Sequence, residues 1–252
     1  VPFLTLAHPT AGPVEAYHEV AGEGAPVVLL HGGACSLEVM REIGDALAGS
    51  SEVALRVHAA ERAGHGRTPE REGPLSYADM VEETLAYLDA CGLGSAHLVG
   101  FSDGGIVGLL LARDHAERVR SLVAISANLT PDAFAPETST PVPPAIQGRI
   151  NDDNAALSPG GQAAVERLED KLRDLWVREP VIEPTSLGAV TAPTLVVAGE
   201  HDMIAPAHTE LIAASVPGAS LAFVPGTGHL LVAEQPGEVA ALVLAHLAPL
   251  VP

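Results

Sequence analysis

Leu98–Gly105 reads LVGFSDGG. An apolar strand signature runs into Gly100, meets Ser102, and leaves through Gly104 and Gly105. A flexible linker would not follow a buried strand, and a phosphate loop would carry Lys before its Ser or Thr. The next residues, GIVGLLLAR at 105–113, are apolar all round and predict a central buried helix. Gly100-Phe101-Ser102-Asp103-Gly104 is therefore G-x-S-x-G between a strand and a helix, the setting of a sharp turn that presents a serine. Side chains two residues before and after that serine would collide with its strained backbone, and glycine removes their Cβ atoms. Gly105 lets the helix approach the sheet. The hydroxyl is raised to the sheet edge at the positive end of a helix dipole. Ser102 becomes a nucleophile only if the rest of the chain supplies a base and a group to orient it.

Working outward, short apolar runs recur at 26–30 (PVVLL), 53–57, 96–101, 121–126, 193–199 and 220–225. They are rich in β-branched residues, bounded by turn residues, and continuous rather than alternating, which predicts strands covered on both faces in a parallel sheet. VEAYHEV at 14–20 roughly alternates and predicts a half-exposed antiparallel strand. Between the runs, 77–91 places Tyr77, Met80, Val81, Thr84, Leu85, Leu88 and Cys91 on one helix face, with Ser76 and Asp79 as a capping box and Gly92 as the stop. Residues 237–247 predict a closing helix. Strands alternating with helices give an α/β sheet layered on both faces. One interval breaks the alternation: 129–192 begins with proline-rich TPDAFAPETSTPVPPA (130–145) and then carries a helix on Val165, Leu168, Leu172, Leu175 and Trp176, with Ser158-Pro159 as its start. Too short for a core of its own, it reads as a cap inserted into a core made of 1–128 and 193–252.

The base and its orienting acid are found late in the chain. PTLVVAGEHD (193–202) is a strand ending in a loop with Asp202, and FVPGTGH (223–229) is another ending with His229. Each follows the C-terminal end of a strand, where open α/β sheets gather their sites. Asp202 would fix the tautomer of His229, and His229 would take the Ser102 proton and pass it to the leaving group. Glu200, two residues before Asp202, is the rival acid. Alternative acids after the preceding strand are closed off, since that place reads Ala127-Asn128 with Asp132 slightly beyond. VVLLHGGACS (27–36) puts His31-Gly32-Gly33 directly after a strand, so the backbone N–H of Gly33 and that of Asp103 are the expected oxyanion donors. His65, in the GHG turn, reads as structural or pocket-lining, and His201 as loop.

HGG after a strand, ERAGHGRT (61–68), GFSDGG, GEHD and GTGH together resemble the α/β-hydrolase superfamily over nearly the whole chain. The order Ser–Asp–His is that superfamily's order. The resemblance implies an α/β-hydrolase fold: a mostly parallel central sheet, helices on both faces, and a small helical cap. Within it, the Ser-Asp-Gly-Gly elbow, Phe101 before the serine and SAN at 126–128 are similar to the valacyclovir-hydrolase-like branch, whose members cleave esters of α-amino acids. That resemblance implies that Asp103 holds a substrate ammonium; the residue-level alternative is a first-turn acid that stabilises the helix dipole. Phe101 and Trp176 are the other expected substrate contacts, with core packing the alternative for Trp176. The cap departs from that branch in being proline-rich and poor in aromatics.

Composition narrows the partners. Net charge is −19, from 13 basic and 32 acidic residues, so no basic footprint for nucleic acid is present and an anionic membrane surface would repel the chain. No apolar run reaches membrane-spanning length, and the first residues carry no basic region followed by an apolar one. With only Cys35 and Cys91 there is no disulfide framework, and a cytoplasmic setting is expected. No His or carboxylate cluster has metal spacing, so neither a metal nor a cofactor is expected. The reading is a serine hydrolase that cleaves small carboxylic esters through an acyl-enzyme on Ser102, as a monomer or homodimer with a small-molecule ester as its partner. A lactonase or perhydrolase on the same fold is the near alternative, and a non-catalytic small-molecule binder on this scaffold is the distant one.

Overall fold

The computed structural model describes residues 2–8, 12–135 and 139–251. In chain order these hold β1 (Phe3–His8), β2 (Gly12–Gly22), β3 (Ala25–Leu30), α1 (Arg41–Ala48), β4 (Leu55–Ala60), α2 (Tyr77–Ala90), β5 (Ala96–Phe101), α3 (Asp103–Asp114) and β6 (Val119–Ile125). Then come α4 (Pro144–Leu157), α5 (Gly161–Trp176), β7 (Thr194–Gly199), α6 (Pro206–Ser215), β8 (Ser220–Val224), α7 (Leu231–Glu234) and α8 (Pro236–Leu247). Residues 136–138 of the proline-rich stretch and 1, 9 and 10 of the N-terminal run lie outside the described residues.

All eight strands join one sheet in the order β1-β2-β4-β3-β5-β6-β7-β8. β1–β2 and β2–β4 pair antiparallel, and every pairing from β3–β4 to β7–β8 is parallel. The central strand β5 shows why a continuous apolar run is needed there. Its six residues are all buried, and they alternate between two cores. Leu98 joins the core under α2, α3 and α6, whereas Val99 and Phe101 join the core under α1 and α8. α3 lies close on the sheet because it is glycine-rich on that side: a Cβ on Gly108 would meet Leu122 Cδ1 at 2.6 Å. α2 starts as the capping box requires, with Ser76 Oγ accepting from the Asp79 N–H at 3.1 Å, and Gly92 ends it at φ 69°.

Several boundaries differ from the sequence reading. The strand expected at 53–57 runs over Leu55–Ala60. β1, α1, α4 and α6 are additional. α5 begins at Gly161 with Gly160 as its cap, and Ser158 instead closes α4, so Ser158-Pro159 is the turn between the two helices rather than a helix start. The buried face of α5 is Ala164, Val165, Leu168, Leu172 and Leu175. α4 and α5 both fall between β6 and β7, at the C-terminal edge of the sheet.

Candidate active site

Ser102 caps α3 at φ 52°, ψ −117°, a backbone region that costs a non-glycine residue about 1–3 kcal/mol and persists only where the surroundings enforce it. The surroundings are the glycines. A Cβ on Gly100 would strike the Gly104 carbonyl, and one on Gly104 would strike the Leu30 carbonyl. Strand end and helix start thus touch backbone to backbone, and the Ser102 N–H is held by the Ile125 carbonyl at 2.8 Å. Two further non-glycine residues have positive φ among the described residues, Ala34 (51°) and Ser126 (52°). Both also follow strand ends at this rim, so the unfavourable backbone is concentrated at one place.

β7 and β8 deliver the other two residues. Ser102 Oγ lies 3.1 Å from His229 Nε2, and His229 Nδ1 lies 2.7 Å from Asp202 Oδ1. A carboxylate only accepts, so Nδ1 carries the proton and Nε2 is left to accept the serine hydroxyl. Asp202 is 2 % exposed, and burial pushes its carboxyl up. The His229 charge and hydrogen bond, the Ser126 hydroxyl and the Ile204 N–H outweigh that push and hold it below the ordinary carboxylate range. Glu200 is half exposed and accepts the Gly226 N–H at 2.9 Å, so its carboxylate serves the loop rather than the imidazole. Gly199 allows the β7 and β8 loops to meet, since a Cβ there would strike the Gly228 carbonyl.

These groups open into a cavity of about 970 Å³, its open mouth included. Gly33, Asp103 and Trp176 line it beside Ser102 and His229, and Ile150 of α4 and Glu179 after α5 also line it. Asp103 is the first residue of α3, so its N–H has no acceptor within the helix. Its side chain is 2 % exposed; Oδ1 accepts from Tyr77 Oη at 2.8 Å and Trp176 Nε1 at 3.0 Å. Oδ2 is buried without a partner and faces Gly33, where any Cβ would overlap it and the Trp176 ring. Burial raises the Asp103 carboxyl, against the Arg62 charge and the two hydrogen bonds. Phe101, expected to touch substrate, is 2 % exposed and is not part of the cavity wall. It lies under the site, its ring centroid 5.4 Å from that of His229, because a residue one before the elbow serine still belongs to the strand.

Two participants were not singled out from sequence. Ser126 Oγ donates to Asp202 Oδ2 at 2.5 Å, holding the oxygen that His229 does not use. The signal available was its place in SAN directly after β6. Arg62, in ERAGHGRT, is 6 % exposed and donates to the carbonyls of His31 and Gly32 at 2.6 and 2.8 Å. His65 proves structural, 1 % exposed with its ring 5.0 Å from that of His31. Among the described residues no group of three or more His, Cys, Asp or Glu could hold a metal ion, and no helix is long and apolar enough to cross a membrane.

The sequence model of the Alpha/beta hydrolase family matches residues 27–242, which span β3 to α8 and include all three groups of the Ser–His–Asp chain. The chain belongs to the α/β-hydrolase family. A 2-hydroxymuconate semialdehyde hydrolase from Pseudomonas putida is 30 % identical to this α/β hydrolase, covering 90 % of the chain and 88 % of that protein. A protein named for carbamate hydrolysis, RutD from Azorhizobium caulinodans, is 29 % identical over 92 % of this chain and 94 % of its own length. Among solved structures, a hydrolase from Pseudomonas aeruginosa PA01 superposes with a TM-score of 0.74 at 25 % identity, covering 97 % of this α/β hydrolase and 98 % of that chain.

Proposed function

We propose that this α/β hydrolase cleaves small carboxylic esters through an acyl-enzyme on Ser102. The observation that carries the reading is the chain Ser102 Oγ–His229 Nε2 (3.1 Å) and His229 Nδ1–Asp202 Oδ1 (2.7 Å) at the wall of a substrate-sized cavity. His229 removes the hydroxyl proton as Oγ attacks the ester carbonyl, and Asp202 stabilises the imidazolium that forms. The carbonyl π electrons move to oxygen, which the N–H groups of Gly33 and Asp103 receive as the oxyanion. Collapse expels the alcohol, protonated by His229. Water then repeats the sequence on the acyl-enzyme, and the acid leaves. Neither a metal nor an organic cofactor is needed for any of these steps.

The cavity favours a substrate with a cationic acyl part, such as an α-amino acid ester. Its described wall carries the carboxylates of Asp103 and Glu179 and no Lys or Arg. Asp103 Oδ2 is buried and unpartnered beside Ser102, and its uncompensated charge supports attraction of an ammonium to the wall that Asp103 lines. Residues 129–192 act in this reading as the cap that shapes the pocket, Trp176 and Ile150 being its contacts with substrate. Turnover of a panel of p-nitrophenyl esters, amino-acid esters, lactones and carbamates tests the assignment. The reading expects kcat/KM to be highest for esters, with amino-acid esters above their neutral analogues. Asp103→Asn should remove the amino-ester advantage and spare neutral esters. Equal losses on both classes would separate Asp103 from charge recognition, and no ester turnover at all would end the proposal.

A further inference from the structure

Arg62 follows β4, and the His31-Gly32-Gly33 loop follows β3, the parallel neighbour of β4 in the sheet, so the two loops emerge side by side. The Arg62 guanidinium is buried, yet Nη1 and Nη2 go to the carbonyl oxygens of His31 and Gly32 rather than to a carboxylate. Its charge offsets those of the buried Asp103 and Glu83 carboxyls, but every hydrogen bond its guanidinium makes goes to the carbonyls of this one loop. The Gly32 carbonyl is the focus of the arrangement. It accepts from Arg62 Nη2 at 2.8 Å, from His31 Nδ1 at 2.7 Å and from the Cys35 thiol at 3.3 Å. The Arg62 N–H donates to His31 Nε2 at 3.1 Å, which fixes His31 as the neutral tautomer that donates through Nδ1.

A trans peptide is planar, so the C=O of one residue and the N–H of the next are opposite ends of one rigid unit. Three donors gripping the Gly32 oxygen therefore aim the Gly33 N–H the other way. That other side is the cavity, which Gly33 lines together with Ser102. Ala34, held at φ 51°, turns the chain immediately beyond. We propose that Arg62 is a positioning residue that pre-aims the Gly33 N–H at the oxyanion, acting through the Gly32 carbonyl without touching substrate. Its positive charge behind the same peptide further polarises the N–H toward the developing anion. The inference rests on the acyl-transfer reading of Ser102.

The test compares wild type with Arg62→Lys and Arg62→Gln on a neutral p-nitrophenyl ester. The probes are an aryl trifluoromethyl ketone, whose serine adduct carries the oxyanion, and the corresponding unreactive amide, which does not. Arg62→Gln should lower kcat about 10²-fold, the size of effect seen when an oxyanion donor is lost. KM and amide affinity should stay within about threefold, and trifluoromethyl ketone affinity should fall in step with kcat/KM. Arg62→Lys, which keeps the charge and one of the two hydrogen bonds, should sit between wild type and Arg62→Gln. If Arg62→Gln does not fold, the Lys variant alone carries the comparison. Unchanged kcat, or ketone and amide affinities falling together, overturns the proposal. A wild type that neither turns over esters nor binds the ketone removes the acyl-transfer reading itself, a failure visible before any Arg62 variant is made.

Discussion

The strand-end rim and the cap meet at one cavity, but they are built by different physics. At the rim, backbone packs on backbone. Gly100, Gly104 and Gly199 each sit where a single added carbon would strike a carbonyl of another segment, and the three non-glycine residues of positive φ among the described residues, Ala34, Ser102 and Ser126, follow strand ends there. Residues 129–192 are tied at their start by backbone, the Ala135 and Thr140 N–H groups donating to the Met203 and His201 carbonyls at 2.8 and 3.0 Å and the Ala205 N–H to the Ala133 carbonyl at 2.9 Å, and further along by side chains. Trp176 Nε1 reaches Asp103, Asn154 Nδ2 reaches the Ala34 carbonyl at 2.8 Å, and the Tyr77 N–H reaches Glu179 at 3.0 Å. A rim of this kind tolerates almost no change in chain geometry, whereas side-chain ties can be exchanged one at a time. In the proposed reading the proton-transfer groups all belong to the sheet edge, while the substrate contacts come from both sides, Asp103 from the rim and Trp176 and Ile150 from residues 129–192.

The sharpest way to break this contrast is to change the imidazole. His229→Ala should lower kcat by about 10⁴-fold or more in protein that still folds cooperatively, its stability reduced because the buried Asp202 carboxylate loses a hydrogen-bond partner. A modest rate loss read from steady-state kinetics would contradict it. Gly104→Ala should cost about 4 kcal/mol or more in a denaturant titration, since its Cβ cannot coexist with the Leu30 carbonyl and neither backbone can yield.

A smaller effect is expected at Ser126. Ser126→Ala removes a hydrogen bond to the Asp202 carboxylate, a contact of about 1.5–3 kcal/mol for a charged acceptor. Rates should fall about tenfold. The sign of the pH effect follows from the depressed Asp202 value. A carboxyl lower in the folded state than unfolded contributes stability above its unfolded value of about 4, and loses it as pH falls through the folded value. Ser126→Ala moves the folded value up, so the variant should be less stable than wild type at neutral pH and the gap should narrow below about pH 4. Chemical denaturation across that range measures it. The smallest change belongs to the cap. Gly148 lies within α4 with nothing within 4 Å of an added Cβ, so Gly148→Ala should stabilise by about 0.5–1 kcal/mol. A loss of stability there would mean that the cap is as tightly determined as the rim.

The same contrast governs what could be read from sequence. Strands β3, β5, β6 and β7 were legible because they are covered on both faces and so are almost continuously apolar; β8, at the sheet edge, keeps an apolar run although Ser220 and Leu221 are exposed. The elbow, Asp202 and His229 were legible because glycine and chain order mark them. α4 was not, because only Ile150 and Asn154 of its fourteen residues are buried, and a helix that faces mostly water writes no apolar stripe. β1 sits at the sheet edge with a half-exposed pattern and left a comparably weak mark. Ser126 and Arg62 were missed for another reason. Their partners, the Asp202 carboxylate and the carbonyls of residues 31 and 32, are 76, 31 and 30 positions away, so a place after a strand end marks where such a residue sits but not what it touches. Phe101 was read one layer too high, as a substrate contact, because its nearness to Ser102 in sequence hides the strand's alternation.

Exposure to a fluorophosphonate probe followed by intact-mass and peptide mass spectrometry examines most directly whether the three distant residues operate as one unit. The account predicts a single phosphonyl adduct on Ser102, absent in Ser102→Ala and formed far more slowly in His229→Ala. Folded wild-type protein that remains unlabelled, or an adduct at any other residue, would contradict it.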